Sequence, residues 1–304
     1  MTHISRSASP LLTILLPVKD GMPYLAAALG SIWQQTFRAF ELLVIDDGST
    51  DGTSDYLRHV KDSRLRVTRN EVSQGVARSL NQGIALSASP MIGRQDADDV
   101  SLPGRLERQV DFMASHPECL VVGTQGRVID AAGLDVGPYL PCPIDDRGIR
   151  EHIPRACPFI HGSVVMRREA VLAVGGYRSK VRRAEDYDLW LRLAARGPLA
   201  NLPDVQYHFR MHDGQIWAAF QRETLADAWL CQFLNWERTR MGDEDSLSVL
   251  TDAQLTALKE RRLWRPRGSW RRRVRVLWHY ARFIQREAPR RAVLAKLLAV
   301  TGGW

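Results

Sequence analysis

Two clusters of carboxylates, each closing an apolar run, constrain this chain more than any other feature. Val44-Ile45 leads into Asp46-Asp47-Gly48-Ser49-Thr50-Asp51-Gly52, and about fifty residues later comes Arg94-Gln95-Asp96-Ala97-Asp98-Asp99. Acids crowded together repel one another and lose hydration. A fold tolerates them best where a divalent cation or a polar ligand lies between them. An acid cluster of this kind suits Mg²⁺ or Mn²⁺ carrying a phosphate ester, which points to a nucleotide substrate.

The segments around the clusters alternate in type. Leu11–Val18, Glu41–Ile45, Leu65–Thr68 and Pro90–Arg94 read as short buried strands. Between them, Tyr24–Gln35, Asp51–Val60 and Gly75–Ser87 carry helical spacing or start with capping chemistry. This alternation predicts an α/β fold with a doubly wound, mainly parallel sheet. Such sheets bind ligands beyond the carboxyl ends of their strands, where both clusters fall. Further on, Pro103–Ser115 reads as a helix and Leu120–Ile129 as a strand. Ala131–Pro143 is a Gly/Pro-rich loop, His161–Arg167 alternates as a strand, and Asp186–Arg196 is an amphipathic helix. From about Gln215 the pattern is helical. Neither a Walker P-loop nor a GxGxxG fingerprint is present, which argues against kinase-like and dehydrogenase-like phosphate cradles.

With 304 residues, 45% hydrophobic and 25% charged, the chain can bury one large core or one core with an appendage. Cys119, Cys142, Cys157 and Cys231 are widely spaced without a CxxC pair, as expected of free thiols in a reducing cytoplasm. Met1–Pro10 has no apolar stretch resembling a signal peptide, and no run approaches the ~18 apolar residues of a spanning helix. A cytoplasmic location is the expectation. The net charge of +8 is uneven: Glu260–Trp304 holds thirteen Lys and Arg against two acids, leaving the rest mildly acidic.

Taken in order, several segments resemble family 2 glycosyltransferases of the GT-A fold. They are Pro17-Val18-Lys19-Asp20-Gly21, Ser31–Thr36, Glu41–Thr53, Gly75–Gly83, Arg94–Arg105, His161–Arg168, Gly175-Gly176-Tyr177 and Ala184–Trp190. The resemblance spans roughly residues 10 to 215. It implies transfer of a sugar from a nucleotide-diphosphate donor, with inversion and with Mg²⁺ or Mn²⁺. The corresponding division is a tail over 1–9, a catalytic domain over 10–214 and a helical basic extension over 215–304. Within the domain, a nucleotide-sugar half would cover about 10–105 and an acceptor half about 106–214.

Asp96-Ala97-Asp98 resembles the family's DxD motif. Alternate residues of an extended segment share a face, so the two acids can address one ligand. The resemblance implies Asp98 as the direct metal ligand and Asp96 as the contact to ribose or to a metal-bound water. Asp99 is either a third ligand or a cap of the turn toward Pro103. In the first cluster, Asp47 would accept the imide N–H of uracil or thymine while Asp46 braces the turn; a turn held by Asx bonds alone is the alternative. Pro17 and Asp20 match the strand end lining the base, although Lys19-Asp20 departs from the pair usual there. Arg78, and less directly Arg94, would meet phosphate, or lie solvated.

Glu185-Asp186 resembles the family's ED motif, which implies Asp186 as catalytic base. A hydroxyl acceptor must lose its proton as it attacks, and a carboxylate in a dry pocket can take it. Asp186 would equally suit a helix N-cap, and Asp188 is also available. Glu185 and His161 are expected on the acceptor side. His212 matches a downstream position where such enzymes supply a further metal ligand. In the tail, Arg271–Arg286 and Ala292–Val300 read as amphipathic helices suited to anionic lipid at the inner membrane face, or to packing on the domain. Nucleic acid is not an expected partner. The favoured donor is a UDP-sugar and the acceptor a glycan or lipid-linked hydroxyl, in bacterial surface polysaccharide assembly. A nucleotidyltransferase and an inactive nucleotide-binding or scaffold protein are the rival readings.

Overall fold

The computed structural model describes residues 10–214 and 221–241, together with positions 247, 252, 255 and 256. The chain divides into two units, Met1–Gln215 and Ile216–Trp304. In the first, the early apolar runs become strands β1 (Leu12–Val18), β2 (Phe40–Asp46), β3 (Leu65–Arg69) and β4 (Met91–Arg94). Helices α1 (Leu25–Trp33), α2 (Thr53–His59) and α3 (Val76–Leu86) separate them. β1 pairs in parallel with β2 on one side and β4 on the other, and β3 lies parallel beyond β2.

The sheet is covered on both faces, which is why its strands read as continuous apolar runs. Leu12, Ile14, Leu16, Leu42 and Val44 face Leu25, Leu29 and Ile32 of α1 and Leu106 and Val110 of α4 (Arg105–Ser115). The alternate residues Leu15, Leu43 and Ile45 are buried as well. The chain runs from β1 outward through β2 and β3, then crosses back to β4 on the far side of β1. That reversal opens a crevice at the carboxyl ends of β1 and β4. Asp46, opposite Val18 in register, ends β2 on this edge, and Asp96 follows β4.

The sheet continues from β4 through β8 (Val165–Arg167), β6 (Val121–Ile129) and β9 (Leu199–Arg210) to β5 (Val100–Ser101). β8 is antiparallel to both neighbours, β6 and β9 are parallel, and β5 is antiparallel to β9. α5 (Asp146–His152), α6 (Arg168–Ala173) and α7 (Glu185–Ala194) complete this half. Two local expectations change. The strand expected over His161–Arg167 is a 3-10 turn at His161–Ser163, with strand only from Val165. Ser163 turns its N–H back to the Ile160 carbonyl at 2.9 Å, which breaks the extended run. The Gly/Pro-rich loop at 131–143 contains a strand, β7 (Asp135–Pro138), paired antiparallel with β6. In the second unit, α8 (Gln221–Met241) buries Leu230, Cys231 and Leu234. The amphipathic stretches Arg271–Arg286 and Ala292–Val300 lie outside the described residues.

Candidate active site

The first acid cluster is built as a brace. Asp46 accepts the Ser49 N–H at 2.9 Å and the Ser54 hydroxyl, closing the turn after β2. Asp47 is 5% exposed and receives Asn70 Nδ2 at 2.8 Å, Ser73 Oγ at 2.7 Å, Gln74 N at 2.9 Å and Gly75 N at 2.8 Å. Burial alone would raise its carboxyl, but these donors outweigh it and hold the pKa at about 2. Asp47 therefore fixes the 70–75 segment and the start of α3. Asp20 holds a left-handed φ of 52° and accepts the Thr50 N–H at 2.8 Å, tying the end of β1 to the same turn. Pro17 is half-buried beside Ile45. Arg78 lies exposed on α3 and lines a surface depression with Arg69 and residues 70–74.

The second cluster lies across the crevice. Asp98 Oδ2 is 3.0 Å from His212 Nε2, so residues more than a hundred positions apart share one point. Arg210 on β9 aligns them: its Nε donates to the Asp98 carbonyl at 2.7 Å and its N–H to Asp99 Oδ1 at 2.7 Å. Asp99 is thus consumed in joining the cluster to β9, and it is buried. Burial, then Asp98 and Asp96, push its carboxyl well above the ordinary range. The His212 ring packs on Tyr24, centroids 4.5 Å apart. Asp96 meets Arg94 Nη2 at 2.7 Å, and its N–H donates to Tyr207 Oη at 3.3 Å. Burial first, then Asp98, raises the Asp96 carboxyl despite Arg94.

No three His, Cys, Asp or Glu side chains among the described residues converge as a complete metal site. The Asp98–His212 pair nevertheless fits a hard divalent cation held partly by phosphate and water, since Mg²⁺ takes few protein ligands in such sites. The crowding of Asp96, Asp98 and Asp99 is the charge pattern such an ion relieves.

The acceptor side is organised by the first turn of α7. Ala184, not Asp186, occupies the helix cap. Asp188 is fully buried and pairs with both Arg178 and Arg192, which pins α7 to the preceding loop. Burial would raise its carboxyl, but the two guanidiniums hold it below the ordinary range. Asp186 is half-buried and lies 3.6 Å from Cys157 Sγ. Burial raises its carboxyl against the Tyr187 N–H and the Cys157 thiol. Glu185 is 8% exposed and is pushed up to about 8 by burial and by Asp186. His161 contacts Tyr177 Oη at 2.9 Å, and burial with the nearby Arg94 pushes it well below its usual value, keeping it neutral.

Two glycines make this packing possible. A Cβ on Gly162 would lie 1.9 Å from Tyr207 Oη and 2.6 Å from Asp96 Oδ2. A Cβ on Gly176, where φ is +68°, would lie 2.5 Å from Asn81 Oδ1. Asn81 on α3 clamps the main chain of Tyr177 from both sides, accepting its N–H at 2.9 Å and donating to its carbonyl at 2.7 Å. Asn81, Tyr207, Arg178 and Arg192 were not candidates from sequence. Their partners lie ten to more than a hundred residues away, except for the Arg192–Asp188 helical pair at i,i+4.

Acid clusters at the carboxyl ends of parallel strands, opposed by an acidic helix start, are an arrangement matching a glycosyltransferase of GT-A architecture. Residues 13–175 match glycosyl transferase family 2, and the chain belongs to that family. EpsE of Bacillus subtilis is 36% identical over 211 residues, 67% of this chain and 74% of EpsE. The amylovoran biosynthesis glycosyltransferase AmsE of Erwinia amylovora is 34% identical over 193 residues, 62% of this chain and 70% of AmsE. The fold is similar to that of S. aureus TarS 1-349 in complex with UDP, with a TM-score of 0.60 at 15% identity, covering 90% of this chain and 80% of that one. It is also similar to the mannosyltransferase PcManGT from Pyrobaculum calidifontis in complex with GDP-Man and Mn²⁺, with a TM-score of 0.57 at 19% identity, covering 97% and 81%.

Proposed function

We propose that this chain is an inverting, metal-dependent glycosyltransferase. It moves a sugar from a UDP-sugar to a hydroxyl of a glycan or lipid-linked acceptor in bacterial surface polysaccharide synthesis. The observation that carries this reading is the pairing of Asp98 with His212 at 3.0 Å on one side of the crevice, against the Glu185–Asp186 start of α7 on the other. Amylovoran and O-antigen biosynthesis in the names of two relatives support the polysaccharide setting. The UDP and UDP-GlcNAc complexes of TarS support the choice of base.

Asp98 and His212 would hold Mg²⁺ or Mn²⁺, which when bound neutralises the charge that develops on the departing diphosphate. Asp96 addresses the ribose or a bound water, and Arg78 the phosphates. Asp47 accepts the imide N–H of the base. Because its oxygens already hold Asn70, Ser73, Gln74 and Gly75, base binding displaces one of these donors and acts on the 70–75 segment. Asp186 takes the proton of the acceptor hydroxyl as its oxygen attacks the anomeric carbon. Attack from the face opposite the leaving diphosphate forms one C–O bond, breaks the other and inverts the centre. Glu185 and His161 orient the acceptor. The basic C-terminal stretches place the enzyme against anionic lipid at the inner membrane face.

Replacing Asp186 with Asn tests the base. Turnover should fall by about 10²-fold or more, the scale of a lost general base, while calorimetric UDP affinity stays within about twofold of wild type. Full turnover in the variant would contradict the assignment.

A further inference from the structure

Arg94 is a buried charge in the crevice that neither the sheet nor the proposed chemistry has used. Its side chain is 3% exposed. The main chain is fixed: the N–H donates to the Val164 carbonyl at 2.9 Å, and the carbonyl accepts Arg105 Nη1 at 3.0 Å. The guanidinium donates to Asp96 at 2.7 Å and to the Gln95 carbonyl, while Nε is buried without a partner among the described residues. A buried guanidinium with an unsatisfied N–H carries a desolvation cost of its own; replacing the whole Arg94–Asp96 pair by apolar groups would commonly cost little, whereas removing one partner strands the other charge.

Its neighbourhood spans both halves of the reaction. The Asp96 carboxylate that it holds abuts Gly162, in the turn that presents His161 to Tyr177. The second buried guanidinium nearby, Arg105, hydrogen-bonds only carbonyls, those of Arg94 and Gly162.

We infer that Arg94 is a positioning residue for the donor: its guanidinium, buried at the end of β4, orients Asp96 in the crevice. This rests on the nucleotide-sugar reading of the site. Two measurements on the full chain test it, titration of UDP in the presence of Mn²⁺ and thermal unfolding, each with Arg94→Met, Arg94→Lys, Asp96→Asn and the Arg94→Met/Asp96→Asn double variant. Arg94→Met should weaken Mn²⁺-dependent UDP binding by about tenfold or more, the scale of a lost charge-assisted contact. Arg94→Lys, which keeps the charge without the planar fork, should fall between Met and wild type. Adding Asp96→Asn to Arg94→Met should cost nothing further, because the two residues act as one unit.

In unfolding, Arg94→Met should lose about 10 °C, and adding Asp96→Asn should recover part of that loss by removing the carboxylate left without its partner. If Arg94→Met does not fold, a folded Arg94→Met/Asp96→Asn double variant supports the same reading. Wild-type UDP affinity in Arg94→Met, or a further loss when Asp96→Asn is added to it, overturns the reading. Failure of wild type to bind UDP, GDP or dTDP with Mn²⁺ would instead remove the nucleotide-sugar reading. The unfolding comparison would still decide the Arg94–Asp96 pairing: recovery by Asp96→Asn supports it and its absence overturns it.

Discussion

Glu185 and Asp186 are adjacent in the chain, yet the fold gives them different work. Two carboxylates so close cannot both carry full charge in a buried pocket at modest cost. Glu185, the more deeply buried, is pushed up to about 8 and holds the proton near neutrality, which leaves the charge to Asp186. The raised Asp186 carboxyl is a stronger base than an exposed one, and it loses activity on the acid side as it takes up a proton. The sign for stability follows from Glu185. Its folded pKa lies above the unfolded value, so the native state binds the extra proton between about 4.5 and about 8. Stability should therefore fall as pH rises through that window, by up to about 1.4 kcal/mol per pH unit. Urea unfolding between these limits should show the slope in wild type and a flatter profile in Glu185→Gln. Equal slopes in both would contradict the placement of the proton. At this scale the sequence was informative about which acids matter, because DxD and ED are short local patterns. It offered Asp188 as a further acid available for catalysis, but the fold commits that carboxylate to Arg178 and Arg192, which close around it from positions no local pattern marks.

Among the elements, α7 and the 161–163 turn carry the geometry of the acceptor side. Asp188 joins α7 to the loop through two guanidiniums with no exposed surface of its own. Asp188→Asn removes the carboxylate that they share and should destabilise the domain by about 3–5 kcal/mol, read from denaturant midpoints. A cost below about 1 kcal/mol, the level of a surface pair, would mean that the pair is not structurally important. Gly162→Ala is a sharper probe of the crevice. Its methyl would strike Tyr207 Oη and Asp96, so a folded variant should lose Mn²⁺-dependent UDP affinity along with about 1–3 kcal/mol of stability. Unchanged affinity would show that Asp96 does not need the close approach. The strands and helices up to Arg94 were legible because each obeys one period and the parallel sheet is buried on both faces. The second half was less so. β9 is twelve residues long, but it has an exposed stretch at Pro203–Val205 and register shifts against β6, so its period is interrupted. The 3-10 turn at His161–Ser163 hides inside an alternating pattern, and only Gly162 hints at the close backbone approach there.

At the scale of the molecule, the family match over 13–175 falls wholly within the first unit, as do the Asp98–His212 pair and Asp186. A chain ending at Gln215 should therefore fold and keep its Mn²⁺-dependent nucleotide affinity. It should also lose the capacity to float with vesicles containing phosphatidylglycerol, because the thirteen basic residues of Glu260–Trp304 are gone. Equal flotation of the short and full chains would contradict a membrane role for the tail. Composition made the charge asymmetry plain but gave no packing partner for those residues, because an Arg/Trp-rich amphipathic stretch suits a lipid surface and a protein surface alike. On this reading the two acid clusters form one metal-assisted nucleotide site. Calorimetric titration of UDP, GDP and dTDP into the full chain, with Mn²⁺ and then with chelator, tests it most directly. UDP should bind with a clear preference, and chelator or Asp98→Asn should weaken it by about tenfold or more. Absence of binding by all three nucleotides in a folded sample, or UDP binding indifferent to chelator and to Asp98→Asn, would contradict it.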